Sequence, residues 1–157
     1  MKRILVIHGP NVNLAGHREP QVYGSATLAQ INTDLARLGT QWELEVAVCQ
    51  SNHEGDLITW VQAAAFGEAL ADGTGDAGMP LYDGVIINAG GLGFTSVALR
   101  DAIAACHIPV IDVHQDNIHG REAFRQSLLV PVCAGHISGL GKESYSSALY
   151  ALAQKLA

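Results

Sequence analysis

Lysine is nearly missing from this sequence. Among 157 residues only Lys2, Lys142 and Lys155 occur, and two of these lie near the chain ends. Schiff-base chemistry needs a desolvated lysine in a pocket, so that route is disfavoured. Cysteine is scarce as well. Cys49, Cys106 and Cys133 are odd in number, widely spaced and without a CxxC pair. They supply no disulfide or zinc framework, suit a reducing compartment and read as small buried hydrophobes. Basic residues number 9 against 15 acidic ones, a net charge of -6. That argues against non-specific binding to nucleic acid or anionic membrane surfaces. A small anionic substrate is still compatible, because a few arginines can dominate one cleft. Long apolar runs are missing too: Ile4-Leu5-Val6-Ile7 meets Gly9-Pro10 within two residues, too soon for a signal sequence or a membrane span. With 48% hydrophobic and 15% charged residues the composition is the reverse of a disordered one. The expectation is a single soluble cytoplasmic domain over residues 1–157.

What is present alternates between two periodicities. Ile4 to Ile7, Leu44 to Val48, Val85 to Ile87 and Val110 to Val113 read as short strands, and a fifth is expected within Leu128 to Ala134. Leu28, Ile31, Leu35 and Leu38 recur at helical spacing, with Gly39 as the expected stop. Leu57, Trp60, Val61 and Ala64 mark a second helix; Val97 to Ala105 and Tyr145 to Leu156 supply two more. The glycine-rich segment Asp72 to Pro80 is a loop by composition. Alternation of this kind predicts an α/β fold, a flavodoxin-like five-stranded parallel sheet with helices on both faces. Ligands of such sheets sit outside the carboxyl ends of the strands. The segments 8–23, 88–95 and 114–125 lie there.

Three suggestive patterns fail on inspection. Gly139-Leu140-Gly141-Lys142 is not a phosphate loop: the glycine required five places earlier is His136, and Glu143 follows instead of Ser or Thr. Gly91-Leu92-Gly93 lacks the third glycine of a dinucleotide fingerprint, where Ser96 stands. His114 and His119 lie five apart and belong to no HExxH pattern. No cofactor and no metal are expected. The chemistry-bearing types lie elsewhere. Arg18 and Tyr23 can meet across a long glycine-containing loop, where a guanidinium beside a phenol favours phenolate. The loop Asn88 to Ser96 offers an amide and backbone N–H groups to a carboxylate or hydroxyl. Asp112 lies two residues before His114, so period-two geometry lets the carboxylate orient or charge the imidazole. Taken singly, each of these residues is as compatible with a structural role.

Together they resemble one family. The run GPNxNLxGxREPxxYG over 9–24, a strand ending in NAGG and continuing to TSVALRDA, and a strand ending in VH followed by N, H, RE and FR are similar to type II 3-dehydroquinate dehydratases. The match is nearly collinear from Ile4 to the closing helix. The resemblance implies a lyase of the shikimate pathway and aromatic amino acid biosynthesis, acting without metal or Schiff base. It would convert 3-dehydroquinate to 3-dehydroshikimate by anti elimination through an enolate. By the same resemblance Tyr23 is the base, Arg18 keeps it ionisable and Asn11 holds the water or enolate oxygen. His114 protonates the leaving hydroxyl and Asp112 positions it. Asn88 and the backbone at Gln115 and Asp116 fall at the substrate-carboxylate site, and Arg125 at a hydroxyl. Asp101 would reach a neighbouring subunit in a trimer-based homododecamer.

Several positions depart from the family pattern. Phe94 stands where histidine is usual, removing a hydrogen bond to a ring hydroxyl. Asp116 replaces serine beside the expected carboxylate. Two such charges at about 4 Å repel by about 4 kcal/mol at an effective dielectric of about 20, unless Asp116 rotates outward, takes a proton or pairs with Arg121 or Arg125. His8 replaces asparagine, Asp112 a longer glutamate, and the loop near 73–80 is extended. Two alternatives therefore stay open: a paralogue dehydrating a related cyclic polyhydroxy ketone without the carboxylate, and a non-enzymatic binding protein on the same scaffold.

Overall fold

Five parallel strands in the order β2-β1-β3-β4-β5 form the centre of the chain; a computed structural model describes residues 1–67 and 80–157. In chain order the elements are β1 (Lys2–His8), α1 (Pro20–Tyr23), α2 (Leu28–Gln41), β2 (Leu44–Gln50), α3 (Glu54–Phe66), β3 (Gly84–Asn88), α4 (Val97–Ala105), β4 (Val110–His114), β5 (Gly135–Ser138) and α5 (Glu143–Lys155). Apart from Pro80, the loop expected over 72–80 lies outside the described residues. No described helix is long and apolar enough to cross a membrane.

Alternation along β1 divides the core. Leu5 and Ile7 pack with Val85 and Ile87 against Leu57, Val61, Leu99 and Ile103 of α3 and α4. Ile4 and Val6 pack with Ile86, Ile111 and Val113 against Ile31, Leu35, Leu149 and Leu152 of α2 and α5. The central strands β1 and β3 are thus covered on both faces, which is why they read as unbroken apolar runs. Each fully buried Leu or Ile stabilises by about 1.5–3 kcal/mol relative to exposure.

Two expectations need correction. The helix α2 does not stop at Gly39 but runs to Gln41. A Cβ at Gly39 would lie 2.6 Å from Val46 Cγ2, so this glycine serves the close approach of α2 to β2. The fifth strand is not within 128–134 but follows it, at Gly135–Ser138. Pro131 cannot donate to a ladder, and Ser127 Oγ accepts from the amides of Leu129 and Val130, turning the chain before Ala134 N–H reaches Val110 O. Register brings His8 beside Gln50 and Asn88, and His114 beside Ser138. All lie at carboxyl ends.

Candidate active site

Backbone contact between two loops forms the floor of a cavity at those strand ends. Gly9 N–H donates to Asn88 O at 2.7 Å. A Cβ at Gly9 would stand 2.7 Å from the Ala89 carbonyl, and one at Gly90, whose φ is +57°, would stand 2.7 Å from Pro10 O. Glycine alone permits that approach. Asn11 adopts φ 68°, a region asparagine tolerates better than most residues, and its amide donates to Asn52 Oδ1 at 3.1 Å.

The cavity above this floor measures about 330 Å³. Asn11, Arg18, Tyr23, Asn88, Phe94, His114, Gln115, Asp116 and Arg125 all line it. Two of the expected site residues do not. Asp112 is fully buried behind His114, and Asp101 lies on α4, 64% exposed and 3.1 Å from Arg100.

Tyr23 ends α1, a single turn with Pro20 at its first position, where proline's fixed φ is pre-set for helix and its missing N–H costs nothing. Its phenol oxygen accepts from Arg18 Nη2 at 3.1 Å and from Arg121 Nη1 at 2.6 Å. The two guanidinium carbons lie 4.7 and 5.3 Å from its ring centroid. Gln115 also holds this turn, its side-chain amide donating to the Tyr23 carbonyl at 3.2 Å. Arg121 is the residue that sequence reasoning missed here, having been weighed only as a partner for Asp116. It serves both groups, since Nη1 also lies 3.0 Å from Asp116 Oδ2. Burial works against its charge, and hydrogen bonds to Asp116 and Tyr23 more than offset that, so its pKa lies above the ordinary arginine value. The Asp116 charge therefore enters the cavity already paired.

Asp112 Oδ2 accepts from His136 Nδ1 at 2.8 Å, while His114 Nε2 is 3.4 Å from the same oxygen without hydrogen-bond alignment. Burial would raise the Asp112 pKa, yet its interactions with His114 and His136 outweigh burial and keep the carboxyl below its ordinary range. Phe94 stacks on the His114 ring, with centroids 5.6 Å apart and planes 17° apart. The Arg125 guanidinium lies 5.6 Å from the Phe94 centroid and binds Glu122.

Asn88 is engaged from below. Its Nδ2 donates to Tyr145 Oη at 2.8 Å and its Oδ1 accepts from Gly90 N–H at 3.2 Å. Tyr145 Oη in turn lies 3.1 Å from His8 Nδ1, and His8 Nε2 lies 2.9 Å from Asn32 Oδ1. Asn32 Oδ1 can only accept, which assigns Nε2–H to His8 and makes its Nδ1 the acceptor from the phenol. Desolvation lowers the His8 pKa to about 4 against the pull of Asn32. The cysteines are chemically quiet. Burial pushes Cys49 and Cys133 up to about 12 and Cys106 up to about 11. Among the described residues no cluster of three or more His, Cys, Asp or Glu is placed to hold a metal ion.

Fold and cavity define an α/β protein of flavodoxin-like winding, with titratable groups gathered where the strands end. The chain belongs to the dehydroquinase class II family, whose model matches residues 2–153. It is similar to the 3-dehydroquinate dehydratase of Bordetella avium, with 50% identity over 149 residues and 94% of each chain covered. A second relative so named, from Halothermothrix orenii, is 45% identical over 153 residues, covering 97% of this chain and 94% of the other. Among solved structures, type II dehydroquinase from Propionibacterium acnes aligns with a TM-score of 0.85 at 35% identity, covering 98% and 97% of the two chains.

Proposed function

We propose that this chain is a hydro-lyase that dehydrates 3-dehydroquinate to 3-dehydroshikimate. The observation that carries the reading is the Tyr23 phenol held between Arg18 and Arg121 in the same cavity as His114. Two guanidiniums donating to one oxygen stabilise negative charge on it, which equips Tyr23 as a base. It removes a proton beside the ketone, and the C–H electron pair moves into an enolate. Asn11, beside the cavity floor, holds the enolate oxygen or the water as charge develops there. The enolate then collapses, forming the ring double bond and breaking the C–O bond on the opposite face. His114 delivers the proton with which that hydroxyl leaves as water. Return of a proton from the phenol to the imidazole through solvent restores the enzyme.

Substrate recognition follows the same geometry. Asn88 keeps one amide N–H after donating to Tyr145, and this group, with the backbone of Gln115 and Asp116, would receive the substrate carboxylate. Arg125, stacked over Phe94, would meet a hydroxyl. The reading carries with it a cytoplasmic enzyme of the shikimate pathway. It also carries a trimer-based dodecamer, in which the exposed Asp101 reaches a neighbouring site. A second reading draws on Asp116, a cavity-lining carboxylate able to accept a hydrogen bond from a hydroxymethyl or amino group: a related cyclic polyhydroxy ketone lacking the carboxylate.

Purified protein given 3-dehydroquinate should generate the ultraviolet absorbance of a conjugated enone, and Tyr23→Phe should abolish it. A folded protein without turnover would sink the assignment and direct attention to ketones lacking the carboxylate. A binding-only role would leave ligand affinity unchanged in Tyr23→Phe.

A further inference from the structure

One carboxylate serves two imidazoles beneath the cavity. Asp112 is fully buried, and among the described residues the one hydrogen bond to its carboxylate is from His136 Nδ1 at 2.8 Å. His114 Nε2 approaches the same oxygen only to 3.4 Å. Asp112 Oδ1, His114 Nε2 and His136 Nε2 are all sealed from solvent without a hydrogen-bond partner among the described residues. Unpaired buried polar atoms are costly, and here three lie on adjoining groups.

We propose that His136 is a positioning residue for His114: by donating to Asp112 Oδ2 it keeps that oxygen from aligning with His114 Nε2 and so limits how tightly His114 keeps its proton. The inference deepens the role given to His114 above and rests on that reading for its bearing on turnover. Period-two alternation had paired Asp112 with His114 alone. It could not show that β5 delivers a competing donor, because His136 sits outside the strand expected there.

The asymmetry follows from geometry. A donor at 2.8 Å with good alignment commands an acceptor better than one at 3.4 Å without it. His136 in its Nδ1–H form makes that bond. The groups facing His136 agree with this. From β4 come Asp112 and His114, the latter with ring centroids 6.0 Å away. Before β5 lies Cys133, whose thiol burial and the Asp112 charge keep protonated. From the turn at Ile118–Gly120 comes the His119 ring, edge-on with centroids 5.9 Å apart. None of them supplies an anion besides Asp112. The Asp112 charge is already near His114; what alignment would add is a hydrogen bond to the charged imidazole, which favours that form. Freeing Asp112 Oδ2 to close on His114 should therefore strengthen proton binding there about tenfold.

The test is a titration of ¹⁵N-histidine protein followed by NMR, which needs no substrate and stands whether or not 3-dehydroquinate is turned over. In the unmodified protein His136 should show the Nδ1–H tautomer; the Nε2–H tautomer would overturn the proposal without any variant. In His136→Val the His114 midpoint should rise by about one pH unit. His136→Asn, whose amide can donate to Asp112 without titrating, should restore the original midpoint. An unchanged or lowered His114 midpoint in His136→Val overturns the proposal. With an active substrate, the limb of the kcat–pH profile that reports His114 should move with the NMR midpoint.

Discussion

Two buried polar clusters lie at the carboxyl ends of the strands, and they differ in how completely their hydrogen bonds are made. Under β1 and β3, His8, Tyr145, Asn88 and Asn32 form a continuous chain at 2.8–3.1 Å, with donors and acceptors matched. Under β4 and β5, the side chains of Asp112, His114 and His136 make one hydrogen bond among themselves and leave three buried atoms without partners among the described residues. A satisfied network rigidifies; an unsatisfied one has proton affinities that a small movement can change. The first cluster supports the floor of the cavity, and the second stands ready for chemistry in its wall. The two tyrosines divide the same way. Tyr145 is fully buried, and burial drives its pKa well above the ordinary phenol value, with Asn88 opposing. Tyr23 instead lines the cavity between two guanidiniums.

Changing each tyrosine to phenylalanine tests that division most severely. Tyr23→Phe should lower kcat by about 10³-fold or more, the scale of a lost general base, with thermal stability little changed. Tyr145→Phe should do the reverse, costing about 1–3 kcal/mol of stability because His8 and Asn88 lose a buried partner. Enone absorbance and denaturant melts on both variants give the two readouts. Equal losses of turnover would break the comparison.

Acid should next expose the floor before the wall. The unfolded chain protonates His8 near the ordinary value of 6.5, whereas the folded protein resists until about 4. Between those values the unfolded state binds more protons, so stability is complete above pH 6.5 and falls as pH drops toward 4. The loss amounts to about 3 kcal/mol at most. Asp112 has a lowered carboxyl pKa, so its contribution is lost only at more acidic pH, below the ordinary carboxylate value. Urea midpoints measured from pH 7 to 4 should therefore slope in the unmodified protein and flatten in His8→Asn. A slope that survives in His8→Asn would place the sensitive group elsewhere.

Arg121 links the cavity wall to Tyr23, so its removal should damage chemistry and binding together. Arg121→Ala leaves the phenol with Arg18 alone and leaves Asp116 as an uncompensated carboxylate, its side chain only 8% exposed. Steady-state kinetics should show kcat down by about 10²-fold, the size of a lost charge-assisted hydrogen bond in a dry site, and a higher KM. A change in KM alone would mean that Arg18 suffices for the base.

Much of this arrangement was legible in the sequence, and the misses have physical causes. β1, β3 and β4 are largely buried runs bounded by turn residues, and the edge strand β2, though only partly buried, is apolar over Leu44 to Val48 apart from Glu45, so periodicity found all four. The fifth is a partly exposed four-residue edge strand, Gly135–Ser138, following a more apolar segment that Pro131 and Ser127 divert into a turn. Meeting points within one loop or one strand, Arg18 with Tyr23 and Asp112 with His114, were readable from spacing. Arg121 with Tyr23, 98 positions apart, and His136 with Asp112, 24 apart, depend on strand order and were not. The glycines of GPN and NAGG were visible as a pattern, but their cause, opposing backbone that any Cβ would meet at 2.7 Å, emerges only when β1 and β3 lie side by side.

The smallest expected effect belongs to Asp116, which the sequence made the most alarming departure. An unpaired carboxylate there would repel a substrate carboxylate strongly, but Arg121 at 3.0 Å accompanies it. The substrate carboxylate then meets a nearly neutral Asp116–Arg121 pair instead of a bare like charge. Asp116→Ser removes the acid and also a bond that steadies Arg121 against Tyr23, so its two consequences oppose each other. KM for 3-dehydroquinate should change by less than about tenfold, equivalent to about 1.4 kcal/mol, and kcat should change less than in Arg121→Ala. The double variant Asp116→Ser/Arg121→Ala sharpens the point. If pairing is what neutralises Asp116, the double variant should recover the KM increase of Arg121→Ala while leaving its kcat defect in place. If Asp116→Ser alone lowers KM by two decades or more, the Arg121 pair does not shield it, and this cavity favours a substrate without the carboxylate.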